Sequence, residues 1–302
     1  MLALVFAGAL ACGHSPGKCS DPEAEASGIK WDRLSGRIAY ARWEFDGYPA
    51  DETHGCIYLI DVPARRVEVL RDFKTVRDNG DGQVGWAKDL AFRTDGSSLT
   101  FAVQDLNEKW QLHDLSFATG QESVLFADPT AHHFAPAWSP DGRLAYISNG
   151  LLSEDVYIND KSILSGAERF RVGWVSPSVF IASINDVAAP GTLCLVDLQK
   201  NWMTPIVSGY AAMPAVDPGT RRVVYAHPDT EGWSIWIANL DGTNQTMLTR
   251  GHSDMDPAWS ADRKSVLFSR PGQGLFLYDL VTGVLTQVMV TQQPVDNMAW
   301  AP

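Results

Sequence analysis

The chain has 302 residues, 45% apolar and 20% charged, which is ordinary globular composition with ample material for a core. Its net charge of -12 opposes a nucleic-acid backbone as partner. Four cysteines without a Cys-x-x-Cys pair argue against a zinc site of that kind.

Residues 1–11 are nearly all small or apolar, too few to span a bilayer, and resemble the apolar region of a signal peptide. Ala9-Leu10-Ala11 is an A-x-A site before Cys12. A lipoprotein signal would be cut there and Cys12 lipidated, tethering the chain without spanning; soluble export and no export remain the other two outcomes. Residues 12–35 are rich in Gly, Ser, Pro and acids and are expected to form a flexible tether. Cys19 and Cys56 are available to pair in an oxidising compartment, a pairing the sequence leaves open. Cys194 reads as a buried strand residue.

From Gly36 to the end the pattern is strands and turns, with no helical period of useful length. Its clearest unit is His132-His133-Phe134-Ala135-Pro136-Ala137-Trp138-Ser139-Pro140-Asp141-Gly142, followed by Leu144-Ala145-Tyr146-Ile147. Asp-Gly between two apolar runs marks a hairpin, and Pro136 restricts the first run to an edge strand or a strand start. Copies begin at Asp89-Leu90-Ala91-Phe92, Met213-Pro214-Ala215-Val216 and Asp256-Pro257-Ala258-Trp259. The anchors Phe92, Trp138, Trp174, Val216, Trp259 and Trp300 are 46, 36, 42, 43 and 41 residues apart. A second recurring strand ends in an acid or Asn, at Asp61, Asp114, Asp197, Asn239 and Asp279.

A period near 40 with about four strands per unit predicts propeller blades. The first unit lacks a Pro-Ala-Trp strand, and residues 295–300 form such a strand with nothing after it. One blade is therefore expected from 36–70 plus 294–300, which removes an open edge at each end. The others run over 86–126, 132–166, 170–208, 210–249 and 252–290. The fold class is all-β, a six-bladed propeller over residues 36–302.

The Pro-Ala-Trp-Ser-Pro-Asp-Gly string resembles the repeats of the TolB-like propeller family, across residues 36 to 300. The blade at Val172-Gly173-Trp174-Val175-Ser176-Pro177 departs from the pattern, having lost its Asp-Gly turn. Members of that family carry an α/β domain ahead of the propeller; only residues 13 to 35 stand in that place here, so the resemblance implies a propeller without that domain. The resemblance implies a non-catalytic exported propeller that binds a protein or other macromolecule of the envelope, in the periplasm or on a lipid anchor. A channel-mouth enzyme, a metal-dependent lyase or lactonase-like hydrolase of a small or saccharide substrate, is the rival reading. There is no Gly-x-Ser-x-Gly elbow, no phosphate loop and no His-Glu-x-x-His.

Candidate site residues come from repeat position. The residue before each Pro-Ala-Trp equivalent is Asn297, Asp89, Ala135, Arg171, Met213 and Asp256 in turn. Asp89, Asp256 and Asn297 enter the channel mouth from three consecutive blades, with Arg171 opposite. They could hold Ca2+, although three oxygens are few beside the six to eight calcium takes, and satisfying backbone groups is the weightier reading. His133 and His252, with His132 and Asp254 nearby, are the metal candidates of the lyase reading.

Overall fold

In a computed structural model, residues 19–45, 52–76, 87–104, 109–126, 130–149, 154–165, 171–186, 189–291 and 295–301 are described. They form six four-stranded antiparallel sheets. Blade 1 contains β1 (Arg37–Phe45), β2 (Glu52–Asp61) and β3 (Arg66–Val76), and β24 (Val295–Ala301) is its innermost strand. Blade 2 runs β4 (Ala87–Phe92), β5 (Ser98–Gln104), β6 (Trp110–Ser116) and β7 (Glu122–Val124). Blade 3 runs β8 (His132–Trp138) to β11 (Lys161–Ser165), and blade 4 β12 (Gly173–Ser176) to β15 (Trp202–Val207). Blade 5 runs β16 (Ala212–Asp217) to β19 (Thr246–Met247), and blade 6 β20 (Met255–Trp259) to β23 (Leu285–Val290).

The closing strand pairs Arg37 with Ala301, Ile38 with Trp300, Ala39 with Ala299 and Tyr40 with Met298. Met298 is fully buried there. Pro136 lies inside β8, which is tolerated because β8 is the innermost edge of its sheet.

The second and third strands of a blade read as continuous apolar runs because each sheet is covered on both faces. Tyr40, Tyr58, Phe101, Tyr225 and Phe268 are all buried. The apolar clusters accordingly sit between neighbouring blades: Ile38, Tyr58 and Leu275 join blades 1 and 6, and Ala39, Ile57 and Phe101 join blades 1 and 2. Asp61, Asp197 and Asp279 end third strands and cap the turns that follow, whereas Asp114, expected to end its strand, lies inside β6 and accepts from the Ser98 and Thr100 hydroxyls. Asp197 accepts from the N–H groups of Gln199 and Lys200, and Asp279 from those of Val281 and Thr282. These bonds, to Lys200 and Thr282 first, hold both carboxyls below the usual carboxylate range.

Residues 19–34, expected to belong to a flexible tether, are docked on the ring. Asp21 caps a short helix, α1 (Pro22–Ser27). Cys19 is bonded to Cys56, with Cα atoms 6.0 Å apart. Glu25 accepts from Arg42 at 2.9 Å, and the Lys30 N–H donates to Val288 O of β23 at 2.9 Å. Arg42 is almost wholly buried and also donates to Tyr58 and Thr291. A buried guanidinium needs an anion, and Ile29, with Ala26, Trp31 and Leu34 beside it, packs on the apolar cluster between blades 1 and 6, so the segment docks for an electrostatic and an apolar reason together. Cys12 and the signal-like stretch lie outside the described residues.

Candidate functional site: an axial funnel and its floor

Five of the six inner strands carry a β-bulge near their start. Asp89, Ala135, Met213, Asp256 and Asn297 have φ of 55°, 52°, 53°, 54° and 62°, and the strand register slips at each of them. Asp and Asn tolerate the left-handed region, whereas Ala and Met are strained in it. Arg171, aligned with these residues in the sequence, is outside this set; it lies two residues before β12.

The bulge turns its side chain toward the next blade. Asp89 Oδ2 accepts the Ala135 N–H at 3.2 Å, and Asp256 Oδ2 accepts the Asn297 N–H at 3.1 Å. Arg171 crosses the ring: its Nη2 donates to Asn297 Oδ1 at 2.9 Å and lies 3.4 Å from Asp256 Oδ1. The Lys88 ammonium is 3.9 Å from Asp89 Oδ2 and over the Trp110 ring. Asp256, Asn297 and Arg171 thus form one group and Asp89 a second, each carboxylate facing a cation. Asp89 and Asp256 are almost fully buried.

Above this floor a funnel of about 320 Å³ runs along the axis. Its wall is the pair at one repeat position of every blade: Leu90-Ala91, Pro136-Ala137, Val172-Gly173, Pro214-Ala215, Pro257-Ala258 and Met298-Ala299. Gly173 stands where the others have Ala because a Cβ there would come 2.7 Å from Val216 Cγ2. Trp138, Trp174, Trp259 and Trp300 form the upper wall, with Pro140, Pro218 and Arg263 at the lip. Asp89, Asp256 and Asn297 do not line this funnel; of the four channel candidates, Arg171 does.

Two blade-to-blade contacts recur around the lip. The indole N–H of Trp138 donates to Thr100, that of Trp174 to Ala137 O and that of Trp259 to Ala215 O, each on the preceding blade. An arginine of the preceding blade covers each ring: Arg93 over Trp138 at 4.5 Å, Arg143 over Trp174 at 5.7 Å and Arg222 over Trp259 at 4.9 Å. Arg37 lies 4.8 Å from the Phe117 ring centroid in the same manner. Sequence reasoning missed these stacks, although an Arg recurs in or beside the first turn of blades 2, 3, 5 and 6. The turn aspartates are held below their ordinary range, by the Ser139 hydroxyl at Asp141, the Ser260 hydroxyl at Asp262 and the Ser97 hydroxyl at Asp95.

The histidines do not converge on the funnel. His133 is buried in its blade, 5.4 Å from the Tyr146 ring and 5.7 Å from Phe126. His252 is exposed on another blade. Among the described residues, the group of potential metal ligands that comes together is Cys19, Cys56 and Asp72, whose two sulfurs are already bonded to each other.

No protein-family model matches the chain. Over 75 residues, 24% of this chain, it is 33% identical to the Tol-Pal system protein TolB of Rhizorhabdus wittichii, and the match spans 17% of that relative's length. Among solved structures, TolB from Acinetobacter baumannii superposes with a TM-score of 0.72 at 17% identity, over 89% of this chain and 67% of that one. A chain of the nidogen–laminin complex gives 0.65 at 8% identity, over 87% and 97%. The tricorn protease gives 0.59 at 12% identity, over 85% of this chain and 27% of that one. The chain therefore has the fold of a TolB-like six-bladed propeller, a fold shared by binding proteins and enzymes alike.

Proposed function

We propose that the chain is a non-catalytic, exported propeller that binds a protein of the cell envelope over the funnel mouth. The observation that carries this reading is the chemistry of the funnel. Its charged lining groups are the guanidiniums of Arg171 and Arg263, which offer hydrogen-bond donors and no acceptor. Its hydroxyl at Thr94 is committed to Ser139 O at 2.8 Å. Walls of Pro, Ala and Trp around fixed cations suit recognition of a side chain or chain segment, not turnover. The likeness to a Tol-Pal system protein supports an envelope partner. The Cys19–Cys56 bond supports export, because such bonds persist in oxidising compartments. With the signal-like residues 1–11, a lipid on Cys12 would leave the propeller tethered to a membrane it does not enter.

The test is a photo-crosslinking residue at Pro140 on the funnel lip, or at Arg250 on the connection leaving the opposite face, in intact cells. A discrete envelope-protein adduct from Pro140 and none from Arg250 is expected. Equal adducts from both positions, or none from Pro140, would refute the assignment. Labelling with a radioactive fatty acid, lost in Cys12→Ala, tests the anchor.

A further inference from the structure

We infer that the face around the funnel mouth is built to dock an acidic polypeptide segment, its carboxylates on the ring of arginines and its apolar side chains in the funnel. The inference rests on the protein-binding reading and names the chemistry of the partner.

Successive strands in each blade are antiparallel, so the turns after the first and third strands leave on one face. The funnel opens there, since Thr94, Pro140, Pro218 and Arg263 all belong to first turns. These turns carry Arg93, Arg143, Arg221, Arg222, Arg263 and Lys264 against Asp95, Asp141, Asp217 and Asp262, and Asp217 is buried. Cations therefore exceed carboxylates in these first turns, in a chain whose net charge is -12, while Asp197, Asp241 and Asp279 stand farther out at third turns of the same face. An acidic partner is repelled elsewhere and admitted here, which orients the encounter.

The stacked arginines are also pre-organised. An aromatic ring under the guanidinium fixes its plane; Arg143 and Arg222 spend N–H groups on Asp141, Pro177 O, Thr220 and Arg263 O, whereas Arg93 approaches Asp95 only at 4.0 Å and keeps an edge that can receive a carboxylate. Aspartates alternate with the arginines in the first turns of blades 2, 3 and 6. That spacing suits a protein surface of mixed polarity and opposes the closely spaced phosphates of a lipid surface. Apolar contact is available beyond the funnel. Toward the same face, Trp202 and Met203 at the start of β15 are 55% and 42% exposed, and Val281 and Val284 in the third turn of blade 6 are 75% and 54% exposed.

The probe is a fluorescein-labelled peptide of repeated Glu-Phe-Gly-Glu units, read by anisotropy beside its Lys-Phe-Gly-Lys counterpart and vesicles rich in phosphatidylglycerol. The acidic peptide should bind, weaken roughly tenfold or more between about 0.05 and 0.5 M NaCl, and compete with its unlabelled form. The Arg263→Glu/Lys264→Glu variant should lose it and Arg250→Glu should keep it. If the Arg263 variant unfolds, Arg221→Glu/Lys264→Glu serves the same purpose. Equal binding of the lysine peptide, failure of the acidic peptide, binding to vesicles alone, or indifference to charge reversal each overturns the inference. Crosslinking from Pro140 reports any protein partner whatever its charge. A partner trapped there whose binding ignores salt would sink this inference and leave the protein-binding reading standing.

Discussion

Asp256 offers the sharpest test of how the ring is locked. Its Oδ2 holds the Asn297 N–H at 3.1 Å, its Oδ1 faces the Arg171 guanidinium at 3.4 Å, and its backbone sits at φ 54°. Asp256→Ala leaves a buried N–H without its acceptor, costing about 1–3 kcal/mol. Breaking a fully buried ion pair costs about 3–5 kcal/mol. The Arg171 side chain is 14% exposed and keeps Asn297 Oδ1, so the lower side of that range applies here. Alanine at this φ adds about 1 kcal/mol. The effects share atoms and do not sum, so we expect a loss of roughly 3–4 kcal/mol. At about 2–4 °C per kcal/mol for a chain of this size, the melting temperature should fall by roughly 10 °C. Asp256→Asn also gives up the ion pair with Arg171 but keeps an acceptor for the Asn297 N–H and a side chain tolerant of positive φ, and should cost less, about 2 kcal/mol. Thermal and urea unfolding followed by circular dichroism measure both. Equal losses in the two variants, or none in either, would refute the lock. Calcium gives an independent arm. With each carboxylate already facing a cation, calcium should leave the wild-type melting temperature unchanged; a calcium-dependent rise that Asp256→Asn abolishes would place a cation in the channel instead.

Deleting residues 295–302 opens blade 1 and exposes the edge of β1, and should abolish the cooperative melt. The milder Met298→Ala, at a fully buried position, should cost about 2–4 kcal/mol. Replacing Cys19 and Cys56 by Ser frees a loop with a sequence separation of 37, for an expected loss of about 2–4 kcal/mol, and alkylation with mass analysis should find the two sulfurs unreactive before reduction. The turn aspartates Asp95, Asp141, Asp262 and Asp279 are all depressed from 3.8, so their contribution is complete above that value and is lost as pH falls through their lower folded values. Melting temperature should thus be insensitive to these groups from about pH 5 to 8 and fall on acidification, less steeply in Ser139→Ala/Ser260→Ala. Metal analysis of purified protein should find no stoichiometric transition metal; one per chain, lost on replacing His133 and His252, would promote the lyase reading.

The fold was legible because its signals are local and repeated. Pro-Ala-Trp strands, Asp-Gly turns and third strands ending in an acid recur at near-constant spacing, and an orphan strand at each end can be satisfied only by the other. The candidate site was legible in position but not in direction. Asp89, Asp256 and Asn297 were found because they share a repeat position, yet a bulge breaks the two-residue alternation by which a strand sequence tells one face from the other. One left-handed residue turns these side chains from the channel to the neighbouring blade's backbone, and the sequence carries no mark of it beyond Asp and Asn being residues that accept such a φ. The reach of Arg171 across the ring depends on its rotamers and on the channel's width, neither of which is local. The docked segment 19–34 failed for another reason. Its composition shows few large apolar residues, though Ile29, Trp31 and Leu34 do pack on the ring, and part of the drive belongs to its acceptor: Arg42, directly after the run Ile38-Ala39-Tyr40-Ala41, is a charge in a strand buried on both faces. Such a charge demands an anion from somewhere in the chain. The supposed tether supplies that anion at Glu25, so a sign that residues 19–34 would fold back lay in Arg42.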